Sequence, residues 1–78
     1  MKDYNLDFYQ ALKIVMEGGC VKGKYFANGI YLRLNSTGFL VSVNANKYYT
    51  EEFFTLHNGL LNQKFRELTV MTMKELLN

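Results

Sequence analysis

The segment from Ile30 to Asn44 constrains this chain most. Leu32 and Leu34 alternate with Tyr31 and Arg33, and past Asn35-Ser36-Thr37-Gly38 the residues Phe39, Val41 and Val43 alternate with Leu40, Ser42 and Asn44. Alternation of period two on both sides of a short Asn/Ser/Gly-rich turn is a β-hairpin with one face turned to a core. A chain that contains it must supply further strands or a helix to cover that face, because a lone two-stranded hairpin is marginal in water.

The flanking sequence offers both. Asp7 is a good N-cap with Gln10 three positions on, the spacing of a capping box. Ala11, Leu12, Val15 and Met16 then form an apolar stripe at helical spacing, Leu6 can staple onto Ala11, and Gly18 or Gly19 ends the helix. Cys20 to Lys24 reads as a strand with Val21 inward and Lys22 outward, and Asn28-Gly29 reads as a turn. Beyond the hairpin, Asn44 to Lys47 is loop-like. Tyr48 to Leu56 is open to two readings: a helix capped by Thr50 with Glu51 and Glu52 in its first turn, or another strand. His57-Asn58-Gly59 is a break. A strand follows around Lys64–Thr72, with Phe65, Glu67, Thr69 and Met71 opposing Arg66, Leu68, Val70 and Thr72, and a short helical turn closes the chain at Lys74–Leu77. The fold class is therefore α+β: an N-terminal helix, a small antiparallel sheet and a short C-terminal helical turn, in one domain over residues 1–78.

At 78 residues such a domain buries a modest core, and small domains often add a disulfide, a structural metal or self-association. With one cysteine and one histidine the first two have no basis, which leaves a homo-oligomer. A content of 49% apolar and 15% aromatic residues fits that expectation. A lone cysteine fits a reducing, cytoplasmic setting. No apolar run is long enough for a membrane span, and a net charge of +2 is too small a footprint for duplex nucleic acid.

The inventory for catalysis is thin. Cys20 and His57 lack a third partner, Glu51-Glu52 reads as a solvated pair, and Lys22-Gly23-Lys24 lacks the glycine spacing and Ser/Thr of a phosphate loop. The chain is expected not to be an enzyme and to need neither metal nor cofactor. Binding chemistry is better represented. Lys22, Lys24, Tyr25, Phe26, Asn28, Tyr31 and Arg33 form one aromatic, basic and amide-bearing segment, and Asn44, Asn46, Lys47, Tyr48 and Tyr49 form a second. Rings stack on nucleobases, cations meet phosphates and asparagines read polar edges. The plain alternative is that tyrosines at loop edges cover a core or a subunit interface.

Asp7-Phe8-x-x-Ala11-Leu12, Glu17-Gly18 and the run Val21-Lys22-Gly23-Lys24-Tyr25-Phe26-Ala27-Asn28-Gly29-Ile30-Tyr31-Leu32 resemble the phage Thoeris anti-defence family of the second type. The resemblance covers the N-terminal half. It implies a small α+β protein that assembles as a homo-oligomer and acts as a sponge in the infected bacterial host. Such a sponge sequesters a cyclic ADP-ribose isomer or a cyclic oligonucleotide at subunit contacts without cleaving it. This chain departs from the family in having no tryptophan, with Tyr25 or Phe26 and then Phe65 standing where the family has one. Under this reading Tyr25, Phe26, Tyr31, Tyr48 and Tyr49 stack, Lys22, Lys24, Arg33 and Lys47 meet phosphates, and Asn28, Asn44 and Asn46 read polar edges around one hollow. The rivals are a phage-encoded protein–protein inhibitor of a host defence complex, of the anti-CRISPR kind, and a single-strand nucleic-acid binder.

Overall fold

A computed structural model describes residues 4–69. Helix α1 spans Phe8–Met16, and its start follows the local chemistry: Asp7 Oδ1 accepts from the Gln10 amide at 2.8 Å while the Gln10 side chain accepts from the Asp7 amide at 2.9 Å. Gly18, at φ 98°, turns the chain out of the helix. The stripe is shifted from the one expected. Phe8, Ala11 and Val15 are buried and Leu12 is half-buried, whereas Met16 is exposed because the chain leaves the helix there.

Five antiparallel strands follow: β1 (Cys20–Gly23), β2 (Ile30–Leu34), β3 (Leu40–Asn44), β4 (Thr50–Glu52) and β5 (Phe65–Leu68), in the spatial order β4-β3-β2-β1-β5. This is the expected α+β arrangement. The hairpin turn is held by Asn35 Oδ1, which accepts from the Thr37 and Phe39 amides at 3.0 and 2.9 Å. The open reading of Tyr48 to Leu56 resolves as strand β4, so Glu51 and Glu52 stand on a sheet edge rather than in a helix turn. His57-Asn58-Gly59 is a helix start as well as a break. The His57 ring accepts from the Leu60 amide at 3.2 Å and caps the short helix α2 (Asn58–Asn62). The expected helical turn at Lys74–Leu77 and the far end of the last strand lie outside the described residues.

Strand registers assign every side chain to a face, since directly paired residues share one. Val21↔Leu32, Leu32↔Ser42 and Gly23↔Phe65 set one face, on which α1 lies over β5, β1 and β2. Its core is Phe8, Ala11, Val15, Val21, Leu32, Leu60 and Phe65. Phe65 is the hub: it is fully buried, with the rings of Phe8 and Phe26 each 5.9 Å from its own. The Phe65 backbone exchanges two hydrogen bonds with Leu6, at 2.7 and 3.0 Å, on the side away from β1. The opposite face carries Cys20, Lys22, Tyr31, Arg33, Val41, Val43, Glu51, Arg66 and Leu68, with Tyr31, Val41, Val43 and Leu68 packed as a second cluster. Lys22 is thus on the outward face expected for it, and it is buried there.

Truncating the hub should cost far more than removing the cap. Phe65→Ala is expected to destabilise by about 3–5 kcal/mol and Asp7→Ala by about 1 kcal/mol, as read from urea midpoints. Equal losses would contradict this ordering.

Candidate functional site

Among the described residues the predicted binding residues fall in three places. The first is a hollow of about 150 Å³ on the helix side of the sheet, lined by Phe26, Ile30 and Phe54 with Ser42, Thr55 and His57 as its polar members. Its lining carries neither lysine nor arginine, and Phe26 is its one member from the predicted set. The Phe26 ring is there because it packs edge-on to Phe65. This hollow therefore fits a small apolar group better than a polyanion.

The second place is the face away from α1. The sheet brings Lys22, Tyr31 and Arg33 together there, with Arg66, which the sequence reading did not include. Arg33 is engaged within the fold: its guanidinium pairs with Glu51 and donates to the Leu34 carbonyl at 3.0 Å. The Tyr31 phenol is pushed up by burial and by its neighbours Cys20 and Tyr49, while Arg33 draws it down. Burial also pushes the Cys20 thiol up, against the pull of Arg33. Cys20 lies on this face and His57 on the other, so the sheet separates the two residues whose pairing would be needed for a nucleophilic site.

The third place is one end of the sheet, where the β1–β2 and β3–β4 connections lie side by side. Gly29 makes the approach possible. Its φ is 88°, and a Cβ there would stand 2.6 Å from Asn46 Nδ2. The Ala45 amide donates to the Gly29 carbonyl at 2.8 Å, and Asn46 Nδ2 donates to the Asn28 carbonyl at 3.1 Å. Asn44 caps the single 3-10 turn Ala45–Lys47 by accepting from the Asn46 amide at 2.9 Å. On the facing connection, the Lys24 ammonium lies 5.8 Å from the Tyr25 ring centre, and Tyr25 is exposed.

Tyr48 and Tyr49 follow, at φ 55° and 59°. Left-handed backbone costs an L-residue about 1–2 kcal/mol, and glycine or asparagine normally occupies it. Tyr48 is 99% exposed and Tyr49 44%, so burial of the Tyr48 ring returns nothing for that strain.

The twelve predicted residues therefore do not surround one hollow. Phe26 is in the core, Lys22, Tyr31 and Arg33 are on the face away from α1, and Lys24, Tyr25, Asn28, Asn44, Asn46, Lys47, Tyr48 and Tyr49 belong to the loop end. The physical reason is the sheet itself, whose alternation puts Tyr31 and Arg33 on the face away from α1, where Tyr49 is the loop-end residue that neighbours Tyr31. Arg66 was findable only through its alternation with Phe65, which puts it beside Lys22 once β5 pairs with β1. No family model matches the chain, and neither the curated proteins nor the solved structures hold a significant match. Among the described residues no helix is long and apolar enough to cross a membrane.

Two measurements check this reading. Tyr48→Asn should raise stability by about 0.5–1 kcal/mol in urea unfolding, because asparagine tolerates the left-handed region; no gain would mean the strain is absent. Because the folded state holds the Tyr31 proton more tightly, that contribution is complete below the ordinary value of 10.0 and is lost as pH rises through the higher folded value. Wild type should therefore lose stability relative to Tyr31→Phe above about pH 10, and parallel pH profiles would contradict the shift.

Proposed function

We propose that this chain is a non-enzymatic sponge of phage origin that binds a cyclic nucleotide-type signal at its loop end, as a homo-oligomer in the cytoplasm of an infected bacterium. The observation that carries the reading is the Tyr48–Tyr49 pair. Two tyrosines stand in a backbone region that disfavours them, and one is almost wholly in water beside Lys47 and the asparagine-tied connection of Asn28. Rings held outward in this way supply stacking surfaces, and Lys24 and Lys47 supply charge for phosphates. The resemblance of the N-terminal half to the anti-defence family points the same way. Sequestration needs no nucleophile or base, and the separation of Cys20 from His57 is compatible with a protein that returns its ligand intact.

A second reading has its own support. Phe39 and Phe53 are 60% and 73% exposed and stack edge to face at 6.0 Å, beside the edge strand β4. An exposed ring pair of this kind suits docking to a host protein, as an inhibitor of a defence complex would require.

A thermal-shift screen across cyclic dinucleotides, cyclic trinucleotides and cyclic ADP-ribose isomers separates the two. The sponge reading predicts that one class stabilises the protein by about 2.7 kcal/mol at a hundredfold excess over Kd, that heat releases the compound unchanged, and that Tyr48→Ala weakens binding by about 1–3 kcal/mol. Recovery of a cleaved product, or no shift with any compound, counts against it. Capture of one host protein lost on Phe53→Ala would favour the inhibitor.

A further inference from the structure

We propose that Lys22 and Arg66 form a seat for a phosphate group on the face of the sheet turned away from α1. The two residues are directly paired across β1 and β5, so their side chains leave the sheet together on one face. Lys22 is only 7% exposed. Its ammonium donates to the Ala27 carbonyl at 3.1 Å and to the Ile30 carbonyl at 3.4 Å, which leaves one of its three hydrogens without an acceptor. Arg66 stacks its guanidinium 5.2 Å from the centre of the Tyr4 ring, while its Nε and Nη1 are buried and meet no acceptor.

No carboxylate of the described residues answers either cation. Glu67 projects from the other face by its register with Val21, and Glu51 is taken by Arg33. Two adjacent cations thus carry unsatisfied donors in a poorly hydrated place, an arrangement that costs stability until an anion arrives. Burial, and after it the Arg66 charge, hold the Lys22 ammonium below the ordinary lysine range. A bound anion reverses that effect. The complementary ligand is a compact oxyanion of more than one charge that accepts several hydrogen bonds at once, which is a phosphate. Arg66 is half-buried as a residue, but its Nε and Nη1 are closed to solvent, so a phosphate reaches them only when the guanidinium and the Tyr4 ring move apart.

This seat stands apart from the loop-end reading, and its test needs no nucleotide. Inorganic phosphate is titrated at constant ionic strength into isotope-labelled protein, and the Arg66 Nε–H resonance is followed. A saturable shift is expected, and Arg66→Gln should weaken phosphate binding by at least about tenfold in calorimetry, as loss of a charge-assisted bond requires. An Arg66 resonance unmoved at tens of millimolar phosphate overturns the proposal, as does unchanged phosphate binding in a folded Arg66→Gln protein. The wild-type titration decides even if the variant fails to fold. Competition identifies the source of the phosphate. If inorganic phosphate displaces a nucleotide ligand found in the thermal screen, the seat holds that ligand's phosphate, and if both bind together it holds a free one.

Discussion

The fold depends on Phe65. Its ring fills the space between α1 and the sheet against Phe8 and Phe26, and its backbone bonds to Leu6 on one side while β5 pairs with β1 on the other. That closure draws a late strand beside the first one and sets the β1–β5 register on which both faces rely. It also explains Gly23, the partner of Phe65 across the strands. A Cβ at Gly23 would meet the Phe26 ring at 2.7 Å and the Gln63 side chain at 2.3 Å. The residue must lack a side chain so that Phe26 can fold back under the sheet and Gln63 can accept from the Tyr25 amide at 3.0 Å.

The sheet then divides the chemistry. The buried core on the face toward α1 is apolar, with Glu52 and Glu67 exposed on the same face, while the other face mixes valines and leucine with a lysine, two arginines, a glutamate and a tyrosine. Charged side chains so placed are tolerated when they are paired, as Arg33 and Glu51 are. Among the described residues no carboxylate pairs with Lys22 or Arg66 in this way. Glu51 and Glu52 also protect the free edge of β4, because like charges discourage a further strand from pairing there.

How much of this was legible in the sequence follows from the range of each interaction. The capping box of Asp7 and Gln10, the Asn35 turn and the alternation of β2 and β3 are decided by residues a few positions apart, and all three are where the sequence places them. Strand β4 was ambiguous because Glu51 is fixed by Arg33, eighteen residues away. Lys22 has only an outward direction in the sequence, because its burial depends on pairing with a strand more than forty positions later, across Lys22↔Arg66. The aromatic, basic and amide residues were recognised by type. Their division among core, far face and loop end could not be, since that depends on register. His57 as a cap was missed because histidine is not among the usual cap residues.

What ties fold to function is the claim that the hairpin tip between β3 and β4 is held rigidly in an unfavourable backbone so that two rings face outward. Bonds from the Ala45 amide to the Gly29 carbonyl and from Asn46 Nδ2 to the Asn28 carbonyl tie the tip to the neighbouring connection, and Asn44 caps the turn within it. The most direct measurement is made on the free protein in solution: backbone order parameters of Tyr48 and Tyr49, together with the strong amide–Hα contact within one residue that positive φ produces. The account predicts order parameters near about 0.85, as in rigid backbone, with that contact present at both tyrosines. Values below about 0.6 with the contact averaged away would describe a mobile tip and contradict it.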